Sequence, residues 1–313
     1  RVVSAIKYPA IFSPPLSQVN FIISIIAYSL TISTLTSINT LELIDKSTCK
    51  NCLFSRLCVI LYLPYISQED FMQKKRVGVI TFHNYDNYGA ILQSYALQKK
   101  LQEIGTQPEI IDYRCDYISN PFRLVNLKKK GLFNYIYGTI GHICYIPRRF
   151  KCNRFRRHMR YSQPVTQGKM QPVAGKYDIY IAGSDQIWDY KLTNFDTTYF
   201  LDFVKEGKKK CSYAASIGEN LPPEEYQQKY KELLSDFDEI LVREDYGADI
   251  VENLTEKRPE VVCDPTLLLT AEEWDKLLVE PKYKEKYILV YQLGINKEIV
   301  DFARRLHNKT GYR

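Results

Sequence analysis

The feature that most constrains this fold is a regular alternation of short apolar segments with amphipathic ones, which begins at Val77. Apolar residues over 77–82 predict a buried strand, and their spacing over 90–103 predicts a helix that Gly105 ends. Further strands are predicted at 108–112, 177–182, 211–215, 239–242 and 260–263, and further helices at 223–237, after 242 and at 271–278. Such alternation predicts an α/β fold: a doubly wound, mainly parallel, Rossmann-like lobe.

The last part of the chain predicts the start of a second lobe. A polar connector over 281–286 leads to an apolar strand at 287–291 and an amphipathic helix at 297–308. We interpret 281–313 as the first β-α unit of a truncated C-terminal lobe. Residues 72–280 then form the N-terminal lobe, with a basic helical insert at 117–176.

The first 71 residues do not share this pattern. No charged residue stands between Lys7 and Glu42, which is long enough for a membrane span or a signal-like segment. Met72, in contrast, precedes basic residues and an apolar strand, as at the start of many cytosolic enzymes. We interpret 1–71 as translated upstream sequence or a disordered leader and expect a cytoplasmic protein. A true N-terminal membrane anchor is the alternative, and N-terminal sequencing of native protein separates the two.

Charge and cysteine usage narrow the possible partners. The net charge of +7 favours acidic partners such as phosphorylated small molecules, anionic glycans or a membrane surface. Five of the eight cysteines are scattered without paired spacing, as in reduced cytosolic proteins. Cys49, Cys52 and Cys58 have no histidine or second pair beside them, so we predict no metal site.

The turn between the first strand and the first helix carries the first candidate site residues, in the segment Thr81-Phe-His-Asn-Tyr-Asp-Asn-Tyr-Gly-Ala90. In an open α/β sheet, this turn lies at the ligand-binding carboxyl edge. Asn84 and Asn87 carry donors for hydroxyl or phosphate oxygens, and Gly89 allows a close backbone approach. The alternative is an ordinary turn built from its usual residues.

Two further strand ends carry small polar residues. Ser184 and Asp185 follow the strand that ends near residue 182, and Asp185 is suited to orient or deprotonate a sugar hydroxyl. Helix capping is the alternative role, and Trp188 is expected to pack in the core rather than stack on a sugar. Ser216 follows the next strand, so we expect it at the same carboxyl edge of the sheet.

The last two motifs place charge at this edge. Arg243 ends a strand and can make two-point contacts to a carboxylate or phosphate. A surface salt bridge with Glu244 or Asp245 is the alternative. Asp264 follows the next strand, immediately before a proline that forces a turn.

In chain order, these motifs read T-F-H-N-x-x-N-Y-G-A-x-L-Q-x-Y-A-L, G-S-D-Q-I-W, A-A-S-I-G, V-R-E and D-P-T-L-L-L. The series resembles the polysaccharide pyruvyl transferase family from Val77 to about Gly294 and leaves residues 1–71 unmatched. The resemblance implies a two-lobed fold like that of GT-B glycosyltransferases, with the site between the lobes. It also implies transfer of the pyruvyl group of phosphoenolpyruvate to glycan hydroxyls, forming a ketal and releasing phosphate, without a cofactor.

The resemblance suggests roles for the matched residues. Arg243 is the expected anion clamp on phosphoenolpyruvate, and Ser184 and Asp185 are expected to face the acceptor, a glycan or lipid-linked saccharide. His83 is a candidate acid or hydroxyl partner. The first-helix end of the cleft is expected to be lined by Asn84, Asn87 and Gly89.

The sequence departs from the family in its second lobe, where a histidine near an arginine is expected as the general acid. His307 follows Arg304 and Arg305 but lies too early in that lobe, so we reject it. We therefore expect these 313 residues alone to lack transfer activity. The alternatives are a GT-B-type glycosyltransferase that uses a nucleotide sugar and a non-catalytic glycan-assembly protein.

The insert is basic throughout. No acidic residue occurs from Tyr117 to Tyr177, and Phe150, Phe155 and Met159 are predicted to share one helical face. A plain helix docked on the sheet is the favoured interpretation, and a peripheral membrane contact through 148–160 at the inner membrane face is the second. Binding of nucleic acid is not expected, because no nucleic-acid module accompanies the insert.

Overall fold

The computed structural model describes residues 75–119, 146–218, 221–280, 283–292 and 296–313. The predictions for residues 1–71 and for 120–145 of the insert lie outside the described residues and stay predictions. The chain divides into two compact units, one that ends at Leu269 and one that begins at Thr270.

Six strands form one parallel sheet in the first unit, in the order β2-β1-β3-β4-β5-β6. Their bounds are β1 Arg76–Ile80, β2 Gln107–Ile110, β3 Ile179–Asp185, β4 Lys209–Ala215, β5 Leu241–Val242 and β6 Glu260–Val261. The predicted mainly parallel α/β sheet is confirmed. Because β2 and β3 lie on opposite sides of β1, the strand order reverses there, and the carboxyl edge beside such a reversal is where ligands bind in open α/β sheets.

Helices cover both faces of this sheet. Their bounds are α1 Tyr88–Glu103, α2 Asp116–Ser119, α3 146–156, α4 Gln171–Ala174, α5 Tyr190–Thr193, α6 Glu224–Ser235 and α7 Asp245–Thr255, with short 3₁₀ turns at Thr197–Phe200 and Pro265–Leu267. Alternate strand residues separate into two cores, since Ile179 and Ile181 pack with α1 and α3 while Tyr180 and Ala182 pack with α6 and α7. A sheet buried on both faces is the expected state of parallel strands.

Helix α3 differs from its predicted orientation. Phe150 was placed on the buried face but is 68% exposed, whereas Cys152 and Met159 are buried and Phe155 is half-buried. The prediction was wrong because Phe150 lies two residues from Cys152, which is roughly 200° around a helix. The inner face of α3 is instead set by Cys152 and Phe155, and Met159 packs in the same core three residues after the helix ends.

The second unit contains two described helices, α8 Ala271–Asp275 and α9 Lys297–Thr310. The helix predicted at 297–308 is confirmed. The strand predicted at 287–291 is wrong, because no strand forms among those residues. Around this segment, the described backbone hydrogen bonds form one pair. Ile288 N–H donates to the Arg313 carbonyl (2.8 Å), and Arg313 N–H donates to the Lys286 carbonyl (3.1 Å). An apolar segment becomes a strand only through a ladder of such pairs.

Across the described residues, no helix combines the length and the apolar character that crossing a bilayer requires.

Candidate functional site

An open depression of about 460 Å³ lies where β3, β4 and β5 end. Parallel strands bring their carboxyl ends to one edge, so residues far apart in sequence meet here. The depression is lined by Gln186, Ser216, Gly218, Arg243, Glu244 and Tyr246. Of these six residues, the sequence singled out Ser216 and Arg243 as site residues.

Arg243 is the cationic residue that lines this depression. Its Nε donates to the Glu244 carboxylate (3.2 Å) and one terminal nitrogen donates to Asp264 (3.5 Å). The guanidinium side chain is 28% exposed, and its second terminal nitrogen makes no hydrogen bond with the described part of the chain. Arg243 therefore forms the salt bridge with Glu244 that was the alternative to a ligand contact. It also keeps a solvent-accessible donor that has no partner among the described residues.

Asp264 holds Arg243, a lining residue of the depression, and Ser184, although it was not among the predicted site residues. One carboxylate oxygen accepts from the backbone N–H (2.9 Å) and the hydroxyl (2.7 Å) of Thr266. The other accepts from the Ser184 hydroxyl (3.1 Å) and from Arg243. The signal was in the sequence, since an aspartate followed by proline and threonine ends a strand at this edge.

Asp185 ends β3 in a strained backbone conformation. Its φ is 76°, and Ala214 near the end of the adjacent strand β4 has a φ of 52°, in the region that residues with a Cβ rarely adopt. Strain of this kind clusters at functional sites. Burial raises the pKa of Asp185 above its usual value, the Gln186 N–H and the positive charge of Arg243 partly offset this, and the negative charge of Asp264 adds to it.

The segment after β4 closes another side of the depression. Ser216 is buried and its hydroxyl oxygen accepts from the Gly218 N–H (3.2 Å). Gly218 has a φ of 85°, and a Cβ there would lie 2.5 Å from an oxygen of Asp189. Trp188 is fully buried, stacks on Phe200 and donates to a backbone carbonyl, so its predicted role in core packing is confirmed.

The turn between β1 and α1 uses its polar groups for its own structure. The Asn87 side chain caps α1 by accepting from the N–H groups of Gly89 (2.8 Å) and Ala90 (3.3 Å). Gly89 is exposed and has no left-handed backbone conformation. Asn84 is half-buried, and its side chain makes no hydrogen bond with the described residues. Asn84 therefore keeps its side-chain donors for a ligand, while the oxygen of Asn87 is committed to the helix cap.

His83 is 2% exposed, and both of its ring nitrogens are engaged. Nδ1 lies 3.1 Å from the Thr81 carbonyl oxygen and Nε2 lies 3.1 Å from the Asp112 carboxylate. Burial raises the pKa of Asp112, but hydrogen bonds from His83 and Arg114 outweigh this and lower it to about 2. Because both nitrogens are bonded within the protein, an acid role would require His83 to release one of these bonds, and that role stays a prediction.

Arg156 on α3 holds the same turn, and sequence reasoning treated it only as part of a basic helix. Its guanidinium donates to the carbonyl oxygens of His83 (3.0 Å) and Tyr85 (2.9 Å) and to the Asp86 carboxylate (2.8 Å). The side chains of Arg156 and Asp86 are each 12% exposed. This ion pair fixes the turn against α3.

The structure therefore separates the predicted residues into two groups. Ser184, Asp185, Ser216 and Arg243 meet at the ends of β3, β4 and β5. The second group lies at the β1–α1 turn and the start of α1 and consists of His83, Asn84, Asn87 and Gly89. Between the two, the Thr81 hydroxyl donates to the Ser184 carbonyl (2.9 Å). No cluster of metal-ligating side chains occurs in the segments that the structure describes.

A doubly wound parallel sheet with a polar depression at its carboxyl edge defines an α/β protein with the architecture of a small-molecule-binding enzyme. A family model for polysaccharide pyruvyl transferase matches residues 87–313, which is most of the chain. The protein thus belongs to the polysaccharide pyruvyl transferase family, a family of transferases. No curated protein matches the chain.

Proposed function

We propose that the protein transfers the pyruvyl group of phosphoenolpyruvate to hydroxyls of a glycan or lipid-linked saccharide, forming a ketal and releasing phosphate. The observation that carries this proposal is the meeting of Arg243, Asp185 and Asp264 at one sheet edge in a chain of this family. The proposed location is cytoplasmic.

Arg243 is proposed to hold the carboxylate or phosphate of the donor. Asp264 and Glu244 already fix two of its nitrogens, which orients the remaining terminal N–H groups before the anion arrives. A preoriented guanidinium loses less side-chain entropy on binding than a free one. Ser184 supports this arrangement indirectly, because its hydroxyl is bonded to Asp264.

Asp185 is proposed to receive or orient the acceptor hydroxyl. One of its carboxylate oxygens accepts from Gln186, and the other makes no hydrogen bond with the described residues. A raised pKa suits a carboxylate that takes up a proton from a hydroxyl. Ser216 lines the same depression, and Asn84 offers a further amide at the adjoining turn.

The GT-B-like arrangement of two lobes and a general-acid histidine in the second lobe stay part of the proposal. The expectation that these 313 residues alone lack turnover is checked by measuring phosphate release from phosphoenolpyruvate with a glycan acceptor. Release by this chain would contradict that expectation without contradicting the donor site.

Calorimetric titration tests the donor directly, since binding is measured separately from turnover. We expect phosphoenolpyruvate to bind in preference to nucleotide sugars, with at least about tenfold weaker binding in Arg243→Gln because a charge-assisted bond contributes about 1.5–3 kcal/mol. Preferential binding of a nucleotide sugar would favour the GT-B-type glycosyltransferase. Binding of a glycan without either donor would favour a non-catalytic assembly protein.

A further inference from the structure

Helix α3 has one face that is firmly attached to the first unit. Cys152 is buried with residues of α1 and the sheet, Phe155 packs against the same core, and Arg156 makes four hydrogen bonds, three of them to the turn after β1. The Tyr95 and Phe155 rings also meet edge to face, with centroids 5.5 Å apart. The orientation of the opposite face is therefore fixed.

That opposite face combines exposed apolar and basic side chains. Ile146 is 60% exposed and Phe150 is 68% exposed, one helical turn apart. The surrounding exposed basic residues are Arg149, Lys151, Arg154 and Arg157. None of these four forms an ion pair with the described residues, and no acidic residue stands anywhere between positions 117 and 177.

We propose that this outward face of α3 docks on an anionic lipid bilayer. Basic side chains beside the apolar residues would meet the lipid headgroups, while Phe150 and Ile146 enter the boundary with the acyl chains. A single-stranded nucleic acid would use the cations and stack a base on Phe150, but it gives no role to the exposed aliphatic Ile146. The combination therefore favours lipid over nucleic acid.

The position of α3 determines which edge of the sheet this docking brings near the membrane. Arg156 attaches α3 to the residues that follow β1, at the carboxyl edge of the sheet, which is also the edge where the depression opens. Docking through α3 brings this edge near the membrane surface, where a lipid-linked acceptor would be held. The lipid contact itself does not depend on the proposed reaction.

Co-sedimentation of the full chain with vesicles tests the proposal. Vesicles of phosphatidylcholine with about one third phosphatidylglycerol are compared with phosphatidylcholine alone, which reports binding by any other segment. Charge reversal to Glu is made at Arg149, Lys151, Arg154 and Arg157. The matched control reverses four exposed lysines outside α3, Lys169, Lys205, Lys257 and Lys276.

We expect the chain to bind the anionic vesicles in preference, and the α3 reversal to weaken that binding by at least about 100-fold, since each basic residue near the surface contributes about fivefold. Phe150→Ser alone is expected to weaken it about tenfold. The control set, whose net charge changes equally, is expected to lose less than the α3 set by a factor of ten or more. Circular dichroism identifies any variant that does not fold. If the charge-reversal variant does not fold, the vesicle binding of Phe150→Ser tests the proposal instead.

Three results would overturn the proposal. These are equal binding to neutral and anionic vesicles, equal losses in the α3 and control sets, and unchanged binding by Phe150→Ser. Tight binding of the chain to single-stranded RNA that the α3 reversal abolishes, without any vesicle binding, would assign the surface to nucleic acid.

Discussion

Two polar regions lie at the carboxyl edge of the same sheet, and they use their polar groups differently. In the β1–α1 turn, His83 and the Asn87 oxygen are bonded within the protein, and Arg156 holds the backbone from outside. At the ends of β3, β4 and β5, Arg243 and Asp185 each keep an atom without a hydrogen bond to the described residues, beside an open depression. His83 and Asn87 thus serve the stability of the turn, with Asn84 as the exception, whereas Arg243 and Asp185 remain open to a ligand.

The largest expected effect concerns the turn. Arg156→Ala removes the ion pair with the half-buried Asp86 carboxylate and the hydrogen bonds to two carbonyl oxygens, so we expect the free energy of unfolding to fall by about 3–4 kcal/mol in urea titrations. The adjacent and exposed Arg157→Ala is the control and should change it by less than about 0.5 kcal/mol. Similar losses in both variants would show that Arg156 does not hold the turn.

Asp264→Ala tests the carboxylate that holds Arg243 and Ser184 beside the depression. It removes the cap of the 3₁₀ turn and leaves the buried Ser184 hydroxyl without its carboxylate acceptor, so we expect a loss of about 2–3 kcal/mol in unfolding free energy. Asp264→Asn keeps an acceptor for Thr266 and should cost less. Equal thermal shifts for the two variants would contradict the role of the carboxylate.

Asp112 gives the turn a pH dependence. Its folded pKa of about 2 lies below its ordinary 3.8, so its stabilising contribution is complete above about pH 4 and is lost as the pH falls towards 2. We expect this contribution to be about 1–2 kcal/mol after solvent screening. Urea titrations between pH 5 and pH 2 should show a shallower decline in Asp112→Asn, and parallel declines would show that the hydrogen bonds from His83 and Arg114 do not stabilise the Asp112 carboxylate.

Asp185→Asn should have the smallest effect on stability and an opposite sign. Asn also tolerates a positive φ, and the burial that raises the pKa of Asp185 no longer penalises a charge, so we expect a gain of about 0.5 kcal/mol in unfolding free energy. Binding of a glycan acceptor should nevertheless weaken. A variant that is less stable but still binds the acceptor would place Asp185 among the structural residues.

Much of the fold followed from the sequence, because strand and helix periods are local properties of the chain. The parallel sheet and the meeting of Ser184, Asp185, Ser216 and Arg243 are direct consequences of strand ends sharing an edge. What the sequence did not reveal depends on contacts between distant segments. The bond from Arg156 to the Tyr85 carbonyl spans 71 residues, and that from Ser184 to Asp264 spans 80.

The same limit explains the two wrong predictions, which are the orientation of Phe150 and the strand at 287–291. The outer position of Phe150 depends on which side of α3 meets the sheet, and both sides of that helix carry an apolar residue. The segment 287–291 has the composition of a strand, but strand formation depends on the ladder of a neighbouring segment. The acid role of His83 stays a prediction, and the sequence did not reveal that Asp112 and the Thr81 carbonyl bond to its two nitrogens.

The central claim is that the ends of β3, β4 and β5, and not the β1–α1 turn, receive the donor. Two-dimensional ¹H–¹⁵N spectra of the chain during titration with phosphoenolpyruvate test it most directly, with inorganic phosphate as the control ligand. We predict larger shifts at the amides of Gln186, Gly218 and Arg243 than at those of Asn87 and Gly89, and their loss in Arg243→Gln. Shifts confined to Asn87 and Gly89, or unchanged by Arg243→Gln, would contradict the account.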